Sequence, residues 1–421
     1  MKNTFVISSP FDTYSGYGAR SRDVIKAIVK TGKYEVKLLS QRWGNTPFGF
    51  CKDNPEWAFL LDLVIPNLTQ QPDIWAQITV PNEFQPIGKY NIGITAGLET
   101  NSVPGEWIEG INKMDLNLVS SHHSKQSFLS SEYEKQDKGV SLGKIKVEKP
   151  IEVLFEGANL DVYKPTTEPC LVNFDIPESF AYLFVGHWMQ GDMGEDRKNV
   201  GLLVKAFFET FKNKTKKPAL ILKTSQVGAS YMDRDEILRR INLIKKTVNS
   251  NDLPNIYLLH GEFSDEEMNS IYNHSKVKAM ISLTKGEGFG RPLLEFSLSK
   301  KPIIVSGWSG HMDFINPNFS ITIGGQLTNV HPSVQNQFLL PEFSWFSPDH
   351  GQIGHALKEV FENYKKYTDG GKRQAHYSKT NFSWEAMSNL LSSLLDKNIP
   401  EFPKLVSLNL PKSVPSLPKL Q

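Results

Sequence analysis

Cysteine is nearly missing from this chain: two in 421 residues, Cys51 and Cys170. Two thiols so far apart exclude a disulfide scaffold and are expected to be reduced. No apolar run approaches the ~20 residues that cross a bilayer. The opening Met-Lys-Asn-Thr-Phe-Val-Ile-Ser-Ser-Pro lacks the apolar core of a signal peptide. These absences predict a soluble, cytoplasmic protein, and leave peripheral contact with a membrane surface open. Charge of one sign is missing as well. The net charge is +2, and residues 1–150 carry 17 basic against 16 acidic side chains. That balance gives no footprint for nucleic acid, which is disfavoured as a partner without being excluded. The histidines form no cluster at metal-ligand spacing. A Gly-x-Gly-x-x-Gly turn is absent too, because "SGYGAR" (15–20) has no third glycine, and this disfavours an NAD-dependent oxidoreductase.

What is present is an alternation. Length suggests two or three domains, and 39% hydrophobic residues suffice for a core in each. After residue 178, short β-rich runs alternate with amphipathic stretches. "AYLFVG", "PALILKTS", "IYLLHG", "KVKAMISL" and "KPIIVSG" read as strands. Between them, "NVGLLVKAFFETFKN" (199–213) places Val200, Leu203, Val204, Phe207 and Phe211 on one helical stripe. "SDEEMNSIYNHS" opens with a capping box, Ser264 with Glu267. The first part repeats the theme less regularly. It has strands at "TFVISS", "EVKLLSQ", "YNIGITA", "LNLVSS" and "IEVLFEGAN", and a helix over 19–32 ending in a C-cap glycine. This rhythm predicts parallel sheets with helices on both faces. Residues 351–369 and 384–397 read as two closing helices. The tail carries five prolines within 399–421 and cannot be helical. Its lysines 404, 412 and 419 could meet an anionic surface, but a strap across the domains is the plainer reading.

Chemistry concentrates in Lys-Gly-Glu-Gly-Phe-Gly-Arg-Pro-Leu-Leu-Glu, residues 285 to 295. The string follows a strand and opens a helix, and such turns bind ligands in doubly wound sheets. Gly288 and Gly290 allow close backbone approach, and Pro292 suits a first helical turn. Glu287 and Glu295 can both point into one cleft, and a carboxylate accepting from paired hydroxyls is how a sugar is held. A plain turn with solvated glutamates is the competing reading, and the complete string argues against it.

"EGFGRPLLE" resembles the donor-site signature of the retaining glycosyltransferases of family 4, which have the GT-B fold. Supporting segments are "YSGYGARSRDVIKAI" (14–28), "ETNSVPGEWIEGINKMDLNLVSSHHSKQSF" (99–128), "IEVLFEGANLDVYKP" (151–165) and "VGHWMQGDMGEDRKNVGLLVKAF" (185–207). The resemblance spans about residues 4 to 397. It implies two Rossmann-like doubly wound α/β domains facing a central cleft. They would comprise 1–165, closed by a helix near 384–397, and 166–383, with 398–421 as a tail.

The resemblance also implies a site. Glu287 would contact the transferred sugar and Glu295 the ribose of the nucleotide. Gly288, Phe289 and Gly290 would support sugar and diphosphate through backbone N–H groups. Arg197 and Lys198 would lie beside the diphosphate, with Lys223 as a further candidate. The family's usual arginine falls here near His187 or Trp188, which leaves open which cation meets which phosphate. Gly16 and Gly18 would close over the diphosphate. Glu99 would line the sugar or orient the acceptor. His122 is a weaker candidate there, a surface or packing role being the plainer reading for it and for His123, and His311 would cap the next cleft loop. The cosubstrate would be a UDP- or GDP-linked sugar, with no cofactor and no divalent metal. The acceptor would be a glycan or lipid-linked sugar. Modified DNA or a protein, an epimerase or phosphorylase of the same fold, and a non-catalytic glycan-binding protein are the alternatives.

Overall fold

The computed structural model of the chain describes residues 2–403, apart from 138, 139, 174 and 227. The lysine-bearing part of the tail therefore lies outside the described residues. The first half contains β1 (Asn3–Ser9), β2 (Tyr34–Ser40), β3 (Ile74–Ile78), β4 (Tyr90–Thr95) and β5 (Leu116–Val119). A hairpin of β6 (Tyr133–Asp137) and β7 (Val140–Ile145) and then β8 (Ile151–Val153) complete it. The order β2-β1-β3-β4-β5-β8 forms one sheet, parallel throughout. The second half contains β9 (Ala181–Val185), β10 (Ala219–Lys223), β11 (Ile256–Leu259), β12 (Val277–Ser282), β13 (Ile303–Ser306) and β14 (Ile321–Ile323). Their order is β11-β10-β9-β12-β13-β14, also parallel. An antiparallel pair, β15 (Gly325–Asn329) and β16 (Ser344–Pro348), lies beyond it.

Both sheets are buried on both faces, which is why their strands read as unbroken apolar runs. In β9, Tyr182 and Phe184 enter one core layer and Ala181 and Leu183 the opposite one. The expected helical stripe, Val200 to Phe211, fills the first of these layers, each of its five residues at most 2% exposed. The capping box at Ser264 and Glu267 is formed. Helix Gly16–Thr31 ends on Gly32 at φ 64°, the left-handed conformation that favours glycine.

Three readings needed correction. The closing region holds three helices, His350–Glu362, Tyr364–Asn381 and Trp384–Asn398, where two were expected. Strand β3, at the centre of the first sheet, had not been singled out. The hairpins β6–β7 and β15–β16 had not been either.

The last helix returns to the first half. Met387, Leu391, Leu394 and Leu395 pack with Val24, Ile25 and Ile28. The two chain crossings run side by side. The N–H of Ala158 donates to Phe382 O (2.9 Å) and that of Trp384 to Ala158 O (2.8 Å). A Cβ on Gly157 would come within 2.5 Å of Trp384 Cα, so the crossings touch only because that residue is glycine. Among the described residues no helix is long and apolar enough to cross a membrane.

Candidate functional site

In doubly wound sheets a crevice opens beyond the strand ends where the strand order reverses. In the second sheet that point lies between β9 and β12. A cavity of roughly 620 Å³ lies there, walled on its other side by the first half. That volume is ordinary for a small-molecule site.

The turn after β9 and the loop after β12 are tied together. Lys285 N–H donates to Arg197 O (3.0 Å), and Asn199 Nδ2 donates to Leu283 O (2.8 Å). Lys198 and Glu287 thereby meet in an ion pair, and Arg197 reaches across the cleft to pair with Glu99. Lys198, Glu287 and Glu99 are each largely buried, and all four residues line the cavity. Burial pushes the Glu287 carboxyl up, but Lys198 and Arg197 together bring it below the usual range. Burial also lowers Lys198 to about 8, against the pull of Glu287. The N–H of Glu287 is held by Ser309 Oγ at 2.9 Å. Ser309 itself sits at φ 86°, a strained backbone for a residue with a side chain.

Helix Val200–Phe211 does not offer its N-terminus to the cavity. Asp196 caps it, accepting from Val200 N–H (2.9 Å) and Gly201 N–H (3.3 Å). Burial raises that carboxyl to about 6. The cationic character of this wall therefore rests on side chains. Lys223 ends β10 in the cavity, and burial lowers its pKa. His187 lines it beside Ser225 (Nδ1 to Oγ, 3.2 Å), and its pKa is lowered by burial, then by Lys223 and Lys198.

The glycine-rich turn is seated on the first half. A Cβ on Gly286 would stand 2.1 Å from Glu99 O, and one on Gly288 would stand 2.6 Å from Ala96 O. Gly290 has φ 97°. The Phe289 ring is buried against Phe314, leaving its backbone to the cavity. Gly16 lines the cavity with open space around it.

Three expected residues lie outside the cavity lining. Gly18 is a packing glycine, since a Cβ there would meet Thr13 O at 2.3 Å. His122 is exposed and pairs with Asp313 (3.0 Å). Glu295 lies behind Arg291, accepting from its Nε (2.8 Å) and from the Tyr272 hydroxyl (3.4 Å). Burial pushes Glu295 up to about 7 while Arg291 pulls it down. His311 is fully buried, with Nε2 against Ser306 O at 2.7 Å.

The structure adds residues not foreseen from sequence. Arg291 bridges the halves through Asp23 (2.6 Å), and Glu156 enters the cavity from the crossing segment. Trp43 and Tyr17 form an aromatic surface on the opposite wall. Trp43 had no motif to betray it. Glu156 lies inside the recognised "FEGANLD" segment, where a carboxylate in an apolar context was a usable signal. The sole Asp-x-Asp string, Asp233-Arg234-Asp235, is occupied structurally, with Asp233 bound to His260 and Gln226 N–H.

Neither a protein-family model nor a curated protein sequence matches the chain. Its fold does match solved structures. A glycosyltransferase from Rickettsia africae aligns at TM-score 0.62 and 16% identity, over 94% of this chain and 99% of that one. Sucrose-phosphate synthase from Thermosynechococcus elongatus aligns at 0.60 and 12%, with the same coverage. Anabaena Alr3699/HepE, solved with UDP-glucose, aligns at 0.58 and 11%, over 94% of this chain and all of that one. At such identities the likeness speaks for architecture, and the chain has the GT-B fold.

Proposed function

We propose that the chain is a retaining glycosyltransferase of the family-4 kind. It would move a hexosyl unit from a UDP- or GDP-linked sugar to a hydroxyl of a glycan or lipid-linked sugar, in the cytoplasm and without a divalent metal. The observation that carries this reading is the Lys198–Glu287 pair at the β9–β12 reversal, with Arg197 and Lys223 in the same cavity. In the reaction the acceptor oxygen bonds to the anomeric carbon, and the bond from that carbon to the diphosphate oxygen breaks. The bonding electrons leave with the nucleoside diphosphate, and the hydroxyl proton passes to phosphate or solvent. Negative charge grows on the leaving oxygens, and preorganised cations stabilise it. Glu287 would accept from hydroxyls of the donor sugar, and Glu295 from the ribose, for which Arg291 would have to release it. The backbone of Gly288–Gly290 would support the diphosphate. The UDP-glucose in Anabaena HepE makes a uridine donor a natural first trial.

The test is nucleotide release from a panel of UDP-, GDP-, ADP- and dTDP-sugars without acceptor, with Glu287→Ala as control. Slow release of one nucleotide that depends on Glu287 is the expected result. No release from any donor, and no shift in melting temperature with any nucleotide, would overturn the reading. Full activity in chelator is expected, and an absolute magnesium requirement would reject its metal-free part.

A further inference from the structure

The two walls of the cleft differ in chemistry. The wall from the second half is cationic, through Lys198, Lys223, Arg197 and Arg291. Among the described residues, the wall from the first half brings a single basic side chain, Arg20, and its guanidinium is spent inside the protein. It donates to the carbonyls of Leu154 and, at 2.8 Å, Phe155. What remains on that wall is aromatic, hydroxylic and acidic.

The aromatic part is fixed. Tyr17 and Trp43 stack with centroids 4.1 Å apart and planes 22° apart. The Tyr17 hydroxyl is held by Thr95 Oγ1 (3.0 Å) and by the N–H of Ala96 (3.1 Å), which anchors the pair to the end of β4. Both rings are half-buried and line the cavity. Glu156 stands near enough for its charge to act on Tyr17. It lines the same cavity, and among the described residues no hydrogen-bond donor is recorded on its carboxylate. Burial raises its pKa, against the pull of Arg20 and Arg291, which act on it only through space.

A pyranose ring fits this combination. Its C–H face suits a flat aromatic surface, and its hydroxyls donate to a carboxylate. A phosphorylated or nucleic-acid acceptor would bring negative charge to a wall on which Glu99 is already paired with Arg197, Glu156 is not paired, and no cation among the described residues is uncommitted. We propose that this wall is the acceptor subsite, and that the acceptor presents an uncharged sugar ring stacked on Trp43 and hydrogen-bonded to Glu156. The inference rests on the donor reading above, which assigns the nucleotide to the opposite wall.

The experiment measures nucleotide release from the accepted donor, using the full chain. Methyl glucoside, methyl mannoside, methyl galactoside and maltose are added in turn, against glucose 6-phosphate, glycerol phosphate and single-stranded DNA. The neutral sugars are expected to accelerate release. Trp43→Ala should raise the acceptor KM about tenfold with a much smaller change in kcat, the scale of one lost aromatic contact. Trp43→Phe should recover most of that loss, and Glu156→Gln should raise the acceptor KM as well. Acceleration by the phosphorylated compounds or DNA alone, or by nothing, would overturn the proposal. So would a Trp43→Ala variant that loses affinity for the free nucleoside diphosphate while its acceptor KM stands, since Trp43 would then serve the donor base. If no donor is consumed, it is the donor reading that has failed. The same glycosides are then titrated against tryptophan fluorescence, and a response identical in wild type and Trp43→Phe would overturn the subsite on its own.

Discussion

Lys198 and Glu287 are held where neither is well solvated, and each keeps its charge through the other. Removing either leaves the partner buried and unpaired, so each truncation does more than delete one group. Glu287→Ala is expected to abolish sugar transfer while nucleotide affinity by calorimetry changes little, because Glu287 faces the sugar in the proposed reading. Lys198→Ala should lower turnover by about 10²-fold, the usual scale for one lost charge-stabilising donor. The lowered value of Lys198, about 8 from 10.5, also sets a pH dependence. The ligand-free protein loses this cation as pH rises through 8, so in the proposed reading kcat/KM for the donor should fall above that point. A bound diphosphate favours the proton, so kcat should fall only at higher pH. Lys198→Arg, whose charge does not titrate there, should remove the kcat/KM limb. The sign for stability is opposite. The unfolded chain holds this proton to higher pH, so burial of the charge costs stability below 8, and that cost is relieved between about 8 and 10.5.

Elements bring these residues together, and they were unequally legible. The strands of the second half could be read because burial on both faces makes them continuous apolar runs, as in "ALILK" and "AYLFV". The glycine-rich turn could be read because its backbone approach demands glycine, at 2.1 Å for Gly286 and 2.6 Å for Gly288. Strand β3, "IWAQI", is as buried and as long as those two strands, but Gln77 breaks its apolar run and Pro72 and Pro81 stand close on either side. The turn of Glu295 toward Arg291 was hidden for a different reason. Helical spacing puts residues 291 and 295 on one face, but Asp23, 268 residues away, fixes the guanidinium there. Trp43 is placed on the cavity wall by its stack with Tyr17, a contact no motif announces. The seat of the turn is testable. Gly288→Ala forces a Cβ against Ala96 O and must lift the turn off the first half. It should destabilise the protein by about 1–3 kcal/mol in denaturant titration. It should also reduce turnover more than tenfold, since Glu287 rides on the same turn. Wild-type turnover would mean that the contact between turn and wall is dispensable.

At the scale of the whole molecule, the halves meet, among the described residues, along three ionic contacts besides the hinge. They are Arg197 with Glu99, His122 with Asp313, and Arg291 with Asp23. The His122 pair is exposed and adds little. The Arg291 pair is buried, and although burial alone would lower this guanidinium's pKa, Asp23 and Glu295 hold it charged. Arg291 thus chooses between a partner in its own helix and one across the cleft, and at present it has both. In the proposed reading, entry of a nucleotide-sugar between the walls would require these cross-cleft contacts to yield, with the backbone bonds of Ala158 to Phe382 and Trp384 as the pivot. Asp23→Asn keeps the side chain's size and removes the charge that Arg291 reaches for, leaving Arg291 with Glu295. The ligand-free variant is therefore expected to have a larger radius of gyration than wild type by small-angle X-ray scattering. Saturating nucleoside diphosphate should draw the two values together, because a bound diphosphate adds cross-cleft contacts of its own. If the variant is as compact as wild type without ligand, Asp23 does not hold the cleft closed. The seat of Gly286 and Gly288 on Glu99 and Ala96 would then be the contact that does.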